Sequence, residues 1–258
     1  MSRKFTIHML ITLFLTGSIG FVQAQEENSY AMWESFYITP DNTKLKALGE
    51  AMASHNKKYH SEEGPYRAMV YNVMTGPNTG KMVWQMGPLN YSHLDGRPSA
   101  DGHDEDWRDN VMPNVKKLST GEFWKQNNEA SNTEMLADGG YEFKILHIRY
   151  HEVEKGEGHQ VRHLMGQIGE AVKAMEGENP WGVYINEFRQ GYDIGRHIAT
   201  VGFMKNWAEY DVDNNFKAAF LKVHGENSWQ DFIDGMNDTF SNSWDEVWQV
   251  NTALSGVN

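Results

Sequence analysis

Two segments of the chain share one skeleton, and this repeat constrains the fold more than any other feature of the sequence. GKMVWQMG at 80–87 and GRHIATVG at 195–202 each contain a glycine, a basic residue, five mostly apolar residues and a second glycine. The match continues upstream at the same offset of 115 positions, where it pairs Gly76 with Gly191. We therefore interpret the chain as two copies of one structural unit.

The residues before these segments complete a hairpin in each copy. PYRAMVYNVMTG at 65–76 and PWGVYINEFRQG at 180–191 are rich in the β-branched and aromatic residues that favour strands. Each is separated from the next strand by a glycine-bounded turn, at 76–80 or 191–195. This pattern predicts a β-hairpin with a loop of about three to five residues in each copy.

Each hairpin has a strand and a helix before it, and a helical segment and a strand after it. Aromatic and aliphatic runs at 30–39 and 141–150 predict the first strands, and apolar residues at helical spacing follow both. EFWKQ at 122–126 and EVWQV at 246–250 predict the closing strands. Helical patterns precede both, although Pro113 limits the helix of the first copy. The order β-α-β-β-α-β is that of a ferredoxin-like unit.

A single ferredoxin-like unit carries helices on only one face of its sheet, so the other face needs a cover. Two units in one chain cover each other when their sheets close into a barrel. We therefore expect an α+β fold in which two ferredoxin-like units form an intramolecular, pseudo-dimeric α+β barrel. The predicted units are 25–126 and 141–258, and the polar, glycine-ended segment 127–140 is the predicted linker.

The first 24 residues have the layout of a secretory signal peptide. Arg3 and Lys4 precede a short apolar run, and Val22 and Ala24 provide small residues before a cleavage point ahead of Gln25. The run is shorter than the roughly 20 apolar residues of a transmembrane helix. We expect cleavage after Ala24 and a periplasmic or secreted protein that has no membrane anchor after cleavage.

Charge and cysteine content narrow the possible partners. Without the two basic residues of the leader, 21 Lys and Arg face 35 Asp and Glu, a formal charge of −14. An acidic surface disfavours binding to nucleic acid or anionic lipid. The chain contains no cysteine, so its stability cannot come from disulfides and must come from the core. The oligomeric state is left open.

The order of elements, together with the WAEYD segment at Trp207–Asp211 after the third strand of the second copy, resembles the dimeric α+β barrel superfamily. The likeness is greatest to its tandem NIPSNAP-like or antibiotic-biosynthesis-monooxygenase-like branches. The resemblance covers nearly all of the chain after the leader. It implies a pocket in the barrel interior or between sheet and helices. Members include cofactor-independent monooxygenases, haem-degrading and haem-peroxidase-type enzymes and small isomerases, so it implies either no cofactor or haem.

Polar residues on strands that should be buried are the candidates for chemistry. Several of them fall on one inferred face, and their convergence in the barrel would suit a small organic ligand with a carboxylate or enolate. The catalytic candidates are His147, His197 and Arg149, and the ligand-binding candidates are Glu34, Trp84, Tyr184 and Asn186.

Other interpretations of these residues remain open. His147 could be a hydrogen-bonded core histidine, and Arg149 could pair with a surface acid. Haem would need an axial ligand, for which His197 and His224 are candidates. The His- and Asp-containing loop at 90–107 matches no established metal site, so we assign no metal ligand.

Two functions of different classes follow. The first is an exported protein that binds an aromatic, carboxylated or porphyrin-like molecule, with a monooxygenase- or isomerase-type reaction as a further step. The second is a non-catalytic scaffold with a solid barrel and an exposed aromatic patch. Its aromatic candidates are Trp33, Trp107, Trp124 and Trp244.

Overall fold

The computed structural model describes residues 30–136, 142–188 and 197–256. The predicted signal peptide, the predicted second hairpin turn at 191–195 and part of the predicted linker lie outside the described residues. Within them, none of the helices is long and apolar enough to cross a membrane.

The described residues form nine strands and six α-helices. The strands are β1 (Met32–Pro40), β2 (Ala68–Val73), β3 (Met82–Leu89), β4 (Val115–Leu118), β5 (Glu122–Gln126), β6 (Ile145–Val153), β7 (Trp181–Asn186), β8 (Ile198–Met204) and β9 (Phe240–Val250). The helices are α1 (Leu45–Tyr59), α2 (Tyr91–Asp95), α3 (His103–Asp106), α4 (Gly158–Lys173), α5 (Phe216–His224) and α6 (Ser228–Thr239).

Eight strands close into one antiparallel barrel. The order is β3-β2-β9-β6-β8-β7-β5-β1, and β3 also pairs with β1, which closes the sheet. The short strand β4 pairs with the end of β1 outside this closure. The strands of the first half (30–126) and the second half (142–256) meet at two seams, β2–β9 and β5–β7. The expected barrel is therefore present.

The two halves pair their strands in the same order. The first half runs β2-β3-β1-β5 and the second runs β7-β8-β6-β9. In both, the first strand lies between the third and the last, and the second lies at the seam. The interpretation of the halves as tandem ferredoxin-like units stays a prediction, as do the predicted unit boundaries.

Alternation along each strand separates the barrel interior from the helix layer. In β1, Trp33 and Tyr37 belong to the apolar cluster inside the barrel. Their neighbours Met32 and Ile38 belong to a second cluster beneath α1, with Phe36 packed against it. One strand thus contributes to two cores, because its successive side chains point to opposite faces.

The first predicted hairpin is confirmed. Gly76 and Gly80 bound the turn between β2 and β3, and both have positive φ, at 90° and 84°. A Cβ at Gly76 would collide with the backbone oxygen of Asp245. Glycine is therefore required at this position for two independent reasons.

The helix layers differ in how much regular helix they contain. In the second half α4, α5 and α6 pack on the sheet, and Gly225 separates α5 from α6 at φ 98°. In the first half the sequence predicts a helical region over 104–117 that Pro113 limits. It contains only α3, one π-helical turn (Trp107–Val111) and a 3₁₀ turn with Pro113 inside it, and the chain then enters β4. Proline cannot continue an α-helix, and the regular helix ends before Pro113, in agreement with the limit that the sequence predicts.

Candidate functional site

The barrel is hollow. It encloses a cavity of about 540 Å³. Most of its wall is aromatic or aliphatic, and among the described residues none of the side chains that line it is charged. The lining residues are Ala31, Trp33, Ser35, Tyr71, Gln85, Pro88, Trp124, Gln126, Thr133, Leu136, Leu146, Ile148, Tyr150, Tyr184, Ala199, Val201, Phe203 and Trp248.

Both halves build this cavity, and the connecting segment reaches one end of it. Trp33 and Trp124 come from the first half, and Tyr150 and Tyr184 from the second. Thr133, in the connecting segment, accepts a hydrogen bond from the side-chain amide of Gln126 at 2.9 Å. A molecule in the cavity would therefore contact both copies at once.

A buried carboxylate anchors the hydrogen bonds at the end of the barrel beside the β2–β3 turn. Glu246 is fully buried and accepts from the Tyr37 hydroxyl at 2.8 Å, the Trp248 indole at 2.8 Å and the Asn78 amide at 2.6 Å. Because Tyr37 donates its only hydroxyl proton to Glu246, the 3.0 Å contact between Tyr37 and Tyr150 has Tyr150 as donor. The network satisfies the charge and fixes the two tyrosine rings.

The same short motif forms this kind of contact in both halves. The Trp124 indole donates to Glu122 at 3.1 Å, as the Trp248 indole donates to Glu246. The Glu-x-Trp pattern shared by the two closing strands is therefore a shared contact as well as a shared sequence. Both carboxylates are buried inside the barrel.

The polar groups that line the cavity are neutral. Burial is the main cause that raises the pKa of the Tyr184 hydroxyl above its ordinary value. The hydroxyl therefore stays protonated at physiological pH and can donate a hydrogen bond. Gln85 and Gln126 add amide donors and acceptors, and Ser35 adds a hydroxyl. Such a lining suits carbonyl or hydroxyl oxygens on an apolar molecule.

The sequence placed His147 and Arg149 inside the barrel, and the structure corrects this. They lie on the other face of β6 from the lining residues Leu146 and Ile148, and both pair with Asp245. Arg149 donates two hydrogen bonds to that carboxylate, at 2.7 and 2.8 Å, and holds its pKa below the ordinary value. The alternative interpretation, a strand arginine paired with an acid, describes Arg149.

His197 is also outside the cavity. Its side chain is exposed, and its Nδ1 accepts from the backbone N–H of Val153 at 2.9 Å. Asn186 lies at the end of β7, where its backbone N–H donates to the carbonyl of His197. Of the seven candidate site residues, Tyr184 lines the cavity and the other six do not.

The last two candidates, Glu34 and Trp84, lie in the helix layer of the first half. Glu34 is buried and pairs with Arg97 at 2.7 Å. The Trp84 indole donates to the side-chain oxygen of Asn56 at 3.0 Å, and its ring packs edge-on against His60 at 5.2 Å. Trp84 thus sits beside His60, one of a group of histidines that the sequence did not bring together.

Three histidines meet in this layer, and we call them the histidine cluster: His55, His60 and His103. One ring nitrogen of each lies within 4.8 Å of those of the other two. His55 and His60 are buried, and His103 is half-buried. Burial lowers the pKa of His60 to about 4 and that of His55 below its ordinary value, so both rings are neutral at physiological pH.

Each ring of the histidine cluster is held through Nδ1. His55 Nδ1 is 2.8 Å from a carboxylate oxygen of Asp106, and His103 Nδ1 is 2.8 Å from one of Asp104. His60 Nδ1 is 2.7 Å from the backbone oxygen of Tyr66. All three Nδ1 atoms are thus engaged with oxygens, which leaves Nε2 of each ring as the remaining nitrogen.

The sequence did not bring the histidine cluster together. His103 lies in the loop at 90–107, which matches no established metal site, and His55 and His60 lie outside that loop. His60 is the residue that ends α1, where φ changes to −134°. The signal that could have joined them is HNKKYH at 55–60, in which a turn of helix and a helix end separate two histidines by five positions.

Haem does not fit the histidines that the sequence offered for it. Nε2 of His224 is 3.0 Å from the backbone oxygen of Gln167, to which it must donate, and its ring packs on Phe220. His197 is exposed. Among the described residues that line the cavity, tyrosine is the only side-chain type that ligates haem iron, so the cavity offers it no histidine.

Comparison with known proteins supports the fold alone. No family model matches the chain, and no curated protein matches it. A proposed monooxygenase from Lactobacillus acidophilus superposes with a TM-score of 0.51 at 10% identity, covering 86% of this chain and 94% of that one. An anthrone oxidase-like protein gives 0.51 at 12% identity, covering 87% and 92%.

A chlorite dismutase from Candidatus Nitrospira defluvii, in complex with imidazole, gives a TM-score of 0.51 at 9% identity, covering 88% of this chain and 94% of that one. At such identities the likeness extends to architecture and not to activity. The NIPSNAP-like placement stays a prediction. The chain has the dimeric α+β barrel architecture shared by these monooxygenase-like and chlorite dismutase-like proteins.

Proposed function

We propose that the barrel cavity binds one neutral, largely aromatic small molecule that carries a carbonyl or hydroxyl group. The observation that carries this is a space of about 540 Å³ inside the barrel, lined mostly by aromatic and aliphatic side chains and, among the described residues, by no charged one. Ligand sites in proteins are concave, mostly apolar and oriented by a few polar groups. A solid core would instead fill the barrel with side chains.

The lining selects against charge. An anionic ligand would lose its hydration on entry and find no cation there, which is costly. Arg149, the arginine expected to bind a carboxylate, is engaged with Asp245 on the other face of its strand. We therefore withdraw the carboxylated ligand from the sequence-based hypothesis and keep the aromatic one.

The names of the structural neighbours suggest one ligand to try. An anthrone oxidase-like protein and proposed monooxygenases have this fold, and anthrone is a neutral tricyclic ketone. We propose oxygenation of such a ligand as the reaction to look for, with isomerisation as the alternative. The scaffold function is less well supported, because Trp33 and Trp124 line the cavity and Trp107 and Trp244 are only partly exposed.

A matched pair of probes tests the binding. Quenching of the fluorescence of the cavity tryptophans should report micromolar binding of anthrone, and binding of anthracene-9-carboxylate at least about 10-fold weaker because its charge is desolvated without a partner. Ala199→Phe fills the cavity and should abolish the signal. Val212→Phe adds the same ring at a side chain that is 69% exposed and should not change it.

Equal affinity for the two probes would contradict the neutral-ligand proposal, and an undiminished signal in the Ala199→Phe variant would contradict the site. Incubation of the complex in air, with the products separated by chromatography, tests the reaction. If anthrone is oxidised no faster with the protein than in a protein-free control, the protein binds the ligand without oxygenating it.

We also propose that the protein is exported and that its halves are tandem ferredoxin-like units. The leader layout of the first 24 residues supports export. The shared strand order and the Glu-x-Trp contact of both halves support the repeat. N-terminal sequencing of the protein from a periplasmic fraction tests the first: the result expected is a start at Gln25, and an intact Met1 would contradict it.

A further inference from the structure

We propose that His55, His60 and His103 bind one divalent transition-metal ion, with Zn²⁺ as the expected occupant. The histidine cluster lies outside the barrel, between α1 and the loop that contains α3. It shares no residue with the cavity lining. The proposal is therefore independent of the proposed ligand-binding function.

The hydrogen bonds at Nδ1 fix which nitrogen carries the proton. The Tyr66 backbone oxygen can only accept, so His60 must donate from Nδ1 and keep a lone pair on Nε2. Ionised carboxylates of Asp106 and Asp104 also accept, so the same tautomer follows for His55 and His103. Each of the three rings therefore keeps a lone pair on Nε2.

This arrangement leaves the Nε2 lone pairs without a proton or a cation between them. Nε2 of His60 and Nε2 of His103 are 3.2 Å apart, and with both protons on Nδ1 neither can donate to the other. Nε2 of His55 is buried and has no hydrogen-bond partner among the described residues. An unsatisfied buried polar atom costs about 1–3 kcal/mol, and facing lone pairs add repulsion. A cation between the rings removes both costs.

The spacing agrees with tetrahedral zinc. Zn–N bonds of about 2.0–2.1 Å at tetrahedral angles place two ligand nitrogens about 3.3 Å apart. The His60–His103 separation of 3.2 Å matches this edge. The separations that involve His55 stay within 4.8 Å, so a small shift of its ring completes the site.

The surroundings are those of a metal site. Ligating histidines almost always donate their other N–H to a carboxylate or backbone carbonyl, and here all three do. Within the described residues no fourth His, Cys, Asp or Glu side chain joins the histidine cluster. Three protein ligands leave the fourth position to water or an exogenous ligand, as in catalytic zinc sites. The side chain of His103, 15% exposed, lies on the side from which such a ligand would enter.

The alternative is a cluster that holds an extra proton in place of a metal. It requires one doubly protonated ring in a buried site, where desolvation disfavours the charged form. A metal supplies its charge without that cost and also cross-links α1 to the loop that follows β3. Adding and removing metal distinguishes the protonated cluster from the metal-bound cluster.

Zinc titration of the tag-free protein, stripped with chelator, tests the proposal. Calorimetry should show one equivalent of Zn²⁺ bound with a Kd below about 1 µM and a rise in Tm on binding. Co²⁺ should give the visible absorption of a four-coordinate site. His103→Ala should lower the affinity at least about 100-fold. Asp104→Asn, which keeps the size of the side chain but removes the charge of the carboxylate beside Nδ1 of His103, should lower it about 10-fold.

His163→Ala, which removes an exposed histidine of α4, is the matched control and should bind as the wild type does. Circular dichroism of each variant separates loss of the site from loss of the fold, and Asp104→Asn keeps the test valid should His103→Ala unfold. The proposal is overturned if the wild type takes up no saturating equivalent of Zn²⁺. It is also overturned if both cluster variants bind like the His163 control.

Discussion

The helix layers of the two halves solve the same packing problem in different ways. In the second half, the buried residues of α4 are apolar, and Phe220 of α5 lies at the centre of an aromatic group with Phe232 at 4.6 Å. In the first half, α1 buries Leu48 and Met52 and then two polar residues, His55 and Asn56. One layer is an apolar core, and the other ends in a polar cluster.

This difference shows where a duplicated fold is free to diverge. The barrel needs both halves, and its interior keeps matched features such as the two Glu-Trp contacts. Each helix layer covers only its own half, so one can acquire polar chemistry while the other remains apolar. The three catalytic candidates from the sequence, His147, Arg149 and His197, all belong instead to the second half.

The apolar layer should carry more of the stability. Phe220→Ala deletes a fully buried ring and should lower the free energy of unfolding by about 3–5 kcal/mol. At a temperature where the variant is folded, its zinc affinity should equal that of the wild type, because the histidine cluster lies in the other half. Urea unfolding and calorimetry measure the two quantities. A loss of zinc binding in the folded variant would show that the layers are coupled.

The next largest loss of stability is expected from a change in the barrel interior, which both halves share. Glu246→Ala leaves the Tyr37, Asn78 and Trp248 donors without their acceptor. We expect a loss of about 3 kcal/mol in the free energy of unfolding, since each unsatisfied buried group costs about 1–3 kcal/mol and relaxation recovers a part. Glu226→Ala, at an exposed position of the second half, is the control. A loss below about 1 kcal/mol would mean that the network is dispensable.

A buried histidine of the second half gives a prediction for the pH dependence of stability that does not involve a metal. His151 is buried against Phe240, and burial lowers its pKa from the ordinary 6.5 to about 4. The unfolded chain therefore binds a proton that the folded one excludes. The resulting stability is present above pH 6.5 and is lost as the pH falls toward 4, by up to about 3 kcal/mol.

His151→Asn should flatten this dependence of unfolding free energy on pH relative to the wild type. Measurement of both proteins by urea unfolding between pH 7 and 4.5 gives the difference directly. Parallel curves would contradict a buried neutral His151.

The smallest effect is expected at the residue that sequence ranked among the most important. Arg149→Ala breaks an ion pair with Asp245 whose arginine side chain is 53% exposed. Exposed pairs contribute about 0–1 kcal/mol, so stability should change little. Anthrone affinity should stay within about twofold. A large loss of ligand binding would restore Arg149 to the site.

The sequence predicted the architecture well because the architecture follows from local sequence patterns. Paired glycines, alternating strands and a proline-limited helix are all visible in a short window, and they gave the barrel and the hairpin around Gly76. The face that lines the cavity was not visible, because alternation assigns residues to two faces without saying which is inside. β1 illustrates this: Trp33 and Met32 are both apolar, yet one lines the cavity and the other lies beneath α1.

The histidine cluster could not be predicted for a different reason. His55 and His103 are 48 positions apart in the sequence, and they meet only because the loop after β3 folds back on the end of α1. The three Nδ1 partners, a backbone carbonyl and two carboxylates, give no common sequence signal. Their convergence becomes evident once the three rings are seen together.

Anomalous X-ray scattering tests most directly the claim that the two halves differ by a metal site. Crystals of zinc-loaded protein, measured on both sides of the zinc absorption edge, should show one strong anomalous peak about 2 Å from Nε2 of His55, His60 and His103, and none in the helix layer of the second half. A peak elsewhere, or none at the histidine cluster, would contradict the account.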